Sequence, residues 1–190
     1  MAHELPDTPL VREALALARD GLTKDLFQHS CRTFLLARAW GALRRVECDE
    51  EGLCLAALLH DAGLCPRWFD AERPFTFNSS GALRDFLAAR GVPPARIPPL
   101  VDAIDFHMSL RPRWDRGNVA GLLQVGAWMD CTGLRVWNVW SDARAIARAH
   151  PRLGITWKVP IYLLASLGSA ASCFGLFWPE PYRAECIGTP

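Results

Sequence analysis

A histidine and an aspartate stand side by side at the end of a strongly apolar stretch of this chain. Residues 53–63 read LCLAALLHDAG, so that His60 and Asp61 follow a run of leucines and alanines and precede Gly63. A helix of this composition is buried on nearly every side, and a glycine shortly after it is typical of a helix end. The sequence therefore predicts an imidazole and a carboxylate in the interior. Because burying two such groups unpaired is costly, a divalent metal ion is the expected compensation.

Two more polar residues lie on apolar helix faces near helix ends. His29 falls in the first turn of a helix predicted from about residue 25 to residue 45. Asp130 lies seven residues beyond Leu123 in an apolar helix that Gly133 is expected to end. Together with His60 and Asp61, they supply two imidazoles and two carboxylates, a nitrogen and oxygen donor set that suits a divalent ion.

Each of these residues also has a purely structural explanation. His60 and Asp61 would form a buried ion pair at a helix end, and His29 would be a hydrogen-bonded core histidine. Asp130 fits such an explanation poorly, because a carboxylate at a helix C-terminus faces the negative end of the helix dipole and needs a cationic partner in any case. We therefore favour a metal site.

Two further residues are candidates for chemistry near this set. Arg32 lies one helical turn after His29, and it is either a surface arginine, a support for the ligands or a contact for a negatively charged substrate. His107 faces inward, three residues after Ile104. It is either a core histidine bonded to a nearby aspartate, a catalytic acid or base, or a ligand of a second metal, and the sequence leaves these alternatives open.

Length, charge and cysteine content limit the remaining classes of function. The 190 residues suffice for one compact domain, and the net charge of +1 gives no electrostatic basis for binding nucleic acid or an acidic membrane surface. Seven scattered cysteines without a CxxC pair indicate reduced thiols in a cytoplasmic protein, and no signal peptide is predicted at the N-terminus. The uncharged residues 159–178 contain a proline and two glycines, which favours a buried helix over a membrane span.

Helical periodicity runs along the chain, whereas strand-like alternation does not, so the sequence predicts an all-α fold with one domain over residues 1–190. The expected core covers about residues 23–134, and packing helices follow over about residues 141–175. Residues 64–78 show no periodicity and are expected to form an ordered loop whose aromatic side chains wall a pocket, with Ser79 or Ser80 capping the next helix.

The ordered pattern His29, His60–Asp61 and Asp130 resembles the HD superfamily of metal-dependent phosphohydrolases. HSCRTF at 29–34, LLHDAG at 58–63, GALRDFLAARG at 81–91, DAIDFH at 102–107 and LLQVGAWMDCTG at 122–133 resemble more specifically the branch that contains fungal cyanamide hydratase. The resemblance runs over about residues 25–175. It departs from the branch before Gly81, where an acidic residue is common and this chain has FNSS.

The resemblance implies a helical bundle with one metal held by His29, His60, Asp61 and Asp130. It further implies an enzyme that uses metal-bound water on a small nitrile-like substrate, with Asp61 or His107 taking a proton and Arg32 or the metal stabilising negative charge. A phosphohydrolase acting on a phosphoester or nucleotide is the alternative within the superfamily, and a non-catalytic metal- or ligand-binding sensor is the alternative outside enzymes. Zinc or iron is the expected metal, and manganese, cobalt or nickel would also accept these ligands. The oligomeric state is left open.

Overall fold

Seven α-helices joined by turns and 3₁₀ segments form the part of the chain that the computed structural model describes, residues 4–155. They are α1 (Pro9–Gly21), α2 (Lys24–Arg44), α3 (Glu50–Leu59), α4 (Phe75–Ala88), α5 (Ile97–Asp105), α6 (Asn118–Thr132) and α7 (Trp140–Ala149). The 3₁₀ segments are Ala62–Leu64, Pro94–Arg96, Trp114–Arg116 and Val136–Val139. No strand occurs among the described residues, and the predicted all-α, single-domain helical bundle is confirmed.

Helices α2 and α6 pack side by side at the centre of the bundle. A glycine permits this close approach, because a Cβ built on Gly126 would lie 2.2 Å from the carbonyl oxygen of Thr33 and 2.9 Å from the Cβ of Ala37. This contact also positions two of the predicted site residues. It brings the end of α6, where Asp130 lies, against the first turns of α2, where His29 lies.

Helix α3 is buried along its length from Gly52 to Leu59, as its composition predicted. The side chain of Asp49 accepts a hydrogen bond from the backbone N–H of Gly52 and so caps the helix. The helix ends at Leu59, which leaves His60 at the C-cap and Asp61 in the turn that follows. The prediction that Gly63 ends this helix was wrong, because the helix ends at Leu59 and Gly63 does not adopt the left-handed conformation of a glycine cap. It belongs to the 3₁₀ segment, and a Cβ there would lie 2.1 Å from the carbonyl oxygen of Phe75.

Helix α4 begins at Phe75, so the prediction of a loop reaching residue 78 and a cap at Ser79 or Ser80 was wrong. Pro74 occupies the N-cap position instead, and its fixed φ favours the start of a helix. Ser79 lies inside the helix, where its hydroxyl donates to the carbonyl of Phe75 and accepts from the backbone N–H of Gly63. This serine fastens α4 to the turn that carries Asp61.

Other predictions concern the later part of the chain and its thiols. Gly133 ends α6 as predicted, in a left-handed conformation, and α7 lies close to the expected position. The second predicted packing helix and the apolar segment 159–178 lie outside the described residues. Within residues 4–155 no helix is both long and apolar enough to cross a bilayer, and the five cysteines there form no disulfide.

Candidate metal centre

Three potential metal ligands converge between α2 and the turn after α3. The Nε2 atoms of His29 and His60 lie 3.2 Å apart, and one carboxylate oxygen of Asp61, Oδ2, lies 3.5 Å from the first and 3.3 Å from the second. Ligand atoms of these three residues all lie within 4.8 Å of one another, and all three side chains are buried. The structure thus brings together three of the four residues predicted to bind a metal.

The orientation of His60 is set by the backbone of its own helix. Its Nδ1 lies 2.8 Å from the carbonyl oxygen of Ala57, and since a carbonyl only accepts, Nδ1 must donate. The Nε2 atom of a neutral His60 therefore presents a lone pair to the site. Burial lowers the pKa of His60 to about 3, which keeps the ring neutral.

His29 is held by a carboxylate instead of a carbonyl. Its Nδ1 donates to Oδ2 of Asp130 at 2.6 Å. Burial by itself lowers the pKa of His29, but the neighbouring Cys131 and the hydrogen bond to Asp130 raise it well above its ordinary value. Since the Nδ1 atoms of His29 and His60 both donate to fixed acceptors, their Nε2 atoms face each other at 3.2 Å, and a proton or a cation between them relieves the repulsion of two lone pairs.

Asp61 faces both histidines as an ionised carboxylate. Burial would raise its pKa, but the imidazoles of His60, His107 and His29 around it together hold that pKa well below its ordinary value. A buried carboxylate beside imidazole nitrogens is a suitable oxygen ligand for a divalent transition metal.

Asp130, the fourth predicted ligand, lies behind the ring of His29. Its Oδ1 accepts from Nε of Arg32 at 2.7 Å, and its Oδ2 accepts from the second guanidinium nitrogen of Arg32 at 2.8 Å as well as from His29. Both oxygens are thus engaged, and Asp130 is not in the group of three converging ligands. An outer carboxylate that fixes the tautomer of a ligating histidine is a common arrangement in metal sites.

Arg32 is buried behind Asp130 and is not placed to contact a substrate. Its side chain is 1% exposed, and besides Asp130 it donates to the carbonyl oxygens of His150 and Pro151. It does not line the cavity next to the ligands. Its position fits the support role that the spacing from His29 had left open.

His107 completes the polar side of the site. Its Nδ1 donates to the carbonyl of Ile104 at 2.6 Å, so Nε2 of the neutral ring carries a lone pair. That atom is buried, lies 3.5 Å from Oδ1 of Asp61 and has no hydrogen-bond partner. The ring packs edge-on against His60 and Phe75. An unpaired buried nitrogen beside three potential ligands is a strong sign of a binding or catalytic group.

A small cavity of about 170 Å³ opens beside these residues. Its polar lining consists of His29, His60, Asp61, His107 and Thr132, together with the thiol of Cys131. Its apolar lining consists of Leu64, Phe75, Met108, Ala127 and Trp128. The ligands therefore face an accessible space with an apolar wall.

Several lining residues were not found from the sequence. Cys131 lies in an apolar run that favours core packing, yet it is half-buried, and its sulfur lies 3.8 Å from Nε2 of His29. Trp128, in the same run, also lines the cavity. Of the aromatic residues expected to wall the pocket, Phe75 does so, whereas Trp68 and Phe77 line a separate surface cleft. The position of Cys131 next to Asp130 was the one signal that could have placed it near the site.

Comparison with protein families relates part of the chain to a known domain. Residues 26–112 match the model of the HD domain family. This range contains His29, His60, Asp61 and His107, and it ends before Asp130. No curated protein matches the chain significantly.

Proposed function

We propose that this protein is a metal-dependent enzyme of the HD-domain superfamily that hydrates or hydrolyses a small, uncharged molecule. The match of residues 26–112 to the HD domain family model supports this proposal. His29, His60 and Asp61 would hold a divalent transition metal ion. The superfamily consists generally of metal-dependent hydrolases. The assignment to a nitrile- or cyanamide-hydrating branch rests on the sequence resemblance and is part of the proposal.

One observation carries the proposal. The Nε2 atoms of His29 and His60 lie 3.2 Å apart in a buried site, while the Nδ1 atom of each ring already donates to a fixed acceptor. Two imidazole lone pairs at this distance repel each other unless a proton or a metal ion lies between them. With Asp61 adding a carboxylate oxygen on the same side, the donor set fits a divalent ion that keeps an open coordination position toward the cavity.

In this proposal the metal ion would activate water, and side chains of the protein would accept the proton. When bound, a divalent ion lowers the pKa of a coordinated water toward about 7 and so supplies hydroxide at neutral pH. The chain supplies a proton acceptor, because the unpaired Nε2 of His107 faces the same space and lies 3.5 Å from Asp61. Asp61 is the second group that can share this proton. The apolar side chains of Phe75, Met108 and Trp128 exclude bulk water.

The cavity favours a small neutral substrate over a phosphate ester. Its volume of about 170 Å³ is below the range of roughly 300–1,000 Å³ that is usual for pockets holding larger ligands. None of the described residues that line it is a lysine or arginine, and multiply charged phosphates require such groups. Hydrolysis of a phosphoester or nucleotide is the second candidate, supported by the superfamily itself.

A non-catalytic metal-binding sensor is the candidate from another class. It would keep His29, His60 and Asp61 but would not need an unpaired base at the open side of the metal. The buried, unpaired Nε2 of His107 favours the enzyme.

The experiment begins with elemental analysis of protein purified without added metal. The protein is then assayed against small nitriles and cyanamide, simple phosphoesters and nucleotides. We expect roughly one equivalent of Zn, Fe, Mn, Co or Ni and turnover of a small neutral substrate. Turnover of phosphoesters alone would favour the second candidate, and a metal-loaded protein without turnover of any of them would favour the sensor.

Two variants separate ligand from base. Asp61→Asn should reduce both metal content and turnover. His107→Gln should keep the metal and lower turnover by about 100-fold or more, as expected for loss of a general base. If His107→Gln loses the metal instead, His107 is a ligand and the assignment of roles is wrong.

A further inference from the structure

Residues 150–152, which follow α7 and lie outside the HD-domain match, contact Arg32 and Asp130, the two residues behind His29. Arg32 donates to the backbone carbonyls of His150 and Pro151, the second at 2.7 Å. Arg152 donates to the backbone carbonyl of Asp130, and its guanidinium lies 3.6 Å from Oδ1 of the same residue. The side chain of His150 donates to Gln28 on α2 at 3.0 Å. This short segment therefore bridges α2 and the end of α6.

The contacts matter because Arg32 is buried. A guanidinium has five N–H donors, and in the interior each unpaired donor costs free energy. Asp130 accepts two hydrogen bonds from these donors, and the carbonyls of residues 150 and 151 accept two more. The 150–152 segment thus supplies half of the hydrogen-bond acceptors that hold Arg32, and Arg32 in turn fixes the carboxylate of Asp130.

We propose that Arg152 is a positioning residue of the metal centre, acting on His29 through Asp130. The half-exposed guanidinium of Arg152 donates to the backbone carbonyl of Asp130, while the buried guanidinium of Arg32 donates to the carboxylate of Asp130. The carboxylate held in this way fixes the Nδ1–H of His29 and directs Nε2 toward the ligand site. The role in metal binding rests on the proposed function, whereas the effect on His29 does not.

The side chain of Arg152 is 44% exposed, so its removal leaves no cavity and the variant should fold. The test compares Arg152→Ala and Arg152→Lys with Arg148→Ala, which removes the same charge from an exposed position on α7. Two readouts are taken. The first is the proton NMR signal of the His29 Nδ1–H in metal-free protein. The second is the affinity for Co²⁺, followed by its visible absorption spectrum.

We expect Arg152→Ala to weaken Co²⁺ binding by about tenfold, the lower end of the range for groups that support a ligand, and to shift or broaden the His29 signal. Arg152→Lys keeps the charge but has a single donor group, so its affinity should fall between that of Arg152→Ala and that of the parent. Arg148→Ala should match the parent in both readouts.

Unchanged affinity and an unchanged His29 signal in Arg152→Ala would overturn the inference, as would equal weakening in Arg148→Ala. If the parent protein binds no Co²⁺ while the His29 signal still responds to Arg152→Ala alone, the proposed function fails and the orienting role of Arg152 stands. The two failures are therefore distinguishable.

Discussion

Asp130 can act on the metal centre by either of two routes. The sequence predicts a direct ligand, whereas the structure shows a carboxylate bonded to His29 on one side and to Arg32 on the other. Arg32 and Asp130 are both 1% exposed, so each is the buried counter-charge of the other. Breaking such a pair by removing one partner leaves an uncompensated charge and is strongly destabilising.

Replacing Asp130 by Asn separates these routes. We expect Asp130→Asn to lower the free energy of unfolding by about 3–5 kcal/mol, because Arg32 loses its counter-charge. We expect metal affinity to fall by about 10- to 100-fold without being abolished, because the amide oxygen still accepts from His29. Urea unfolding and a Co²⁺ titration measure the two effects.

The matched control is Asp115→Asn, which alters an exposed carboxylate paired with Arg113 and should stay within about 0.5 kcal/mol of the parent. A folded Asp130→Asn protein that binds no metal at all would show that Asp130 is a direct ligand.

The residues of the site differ in how far the sequence could predict them. His60 and Asp61 are adjacent and end an apolar run, so local pattern alone placed them together in the interior. The helical spacing of His107 showed that it faces inward, but not which atoms it would meet. The bond between His29 and Asp130 joins residues 101 positions apart, and it depends on how two helices are aligned, which periodicity does not encode.

That alignment is determined at the scale of elements by the contact between α2 and α6. Gly126→Ala places a Cβ 2.2 Å from the carbonyl oxygen of Thr33, so the helices must move apart. We expect this variant to lose about 1–3 kcal/mol of stability, as overpacked interiors do, and to bind metal more weakly because Asp130 shifts relative to His29. Urea unfolding and Co²⁺ titration are again the measurements.

Gly81→Ala is the control for this substitution, since a Cβ there meets no atom within 4 Å. In the interior of α4 it should raise stability by about 0.5–1 kcal/mol, because alanine is the better helix former. Equal stability of Gly126→Ala and the parent would mean that the close contact of α2 and α6 does not constrain the fold.

The boundaries of the helices could be predicted from the sequence only in part. The approximate extents of α2 and α6 and the buried run of α3 follow from apolar periodicity. The start of α4 does not, because Ser79 looks like a cap in sequence but bonds within its own helix and to Gly63. Serine serves either role, and the choice depends on the turn packed beside it.

For the whole molecule, a metal that binds only the folded chain must stabilise it. The stabilisation equals RT ln(1 + [M]/Kd), or about 2.7 kcal/mol at a free metal concentration one hundred times Kd. Because the pKa of His29 is raised, a proton competes with a metal ion for its Nε2 atom, and metal binding is expected to displace that proton. The stabilisation that a metal ion gives the folded chain is therefore expected to depend on pH.

Above pH 6.5, the stability of the metal-free protein and the stabilisation gained from metal are expected to change in opposite directions with pH. The pKa of His29 is raised above its unfolded value in the metal-free fold, so its contribution is fully present below pH 6.5 and is lost as the pH rises through the folded pKa. Metal-free protein should thus lose stability with rising pH, by up to about 1.4 kcal/mol per unit. The gain on adding Zn²⁺ should grow over the same interval, because fewer protons compete. Urea unfolding at several pH values, with EDTA or with Zn²⁺, measures both trends, and parallel curves would show that no proton is displaced from the ligand site.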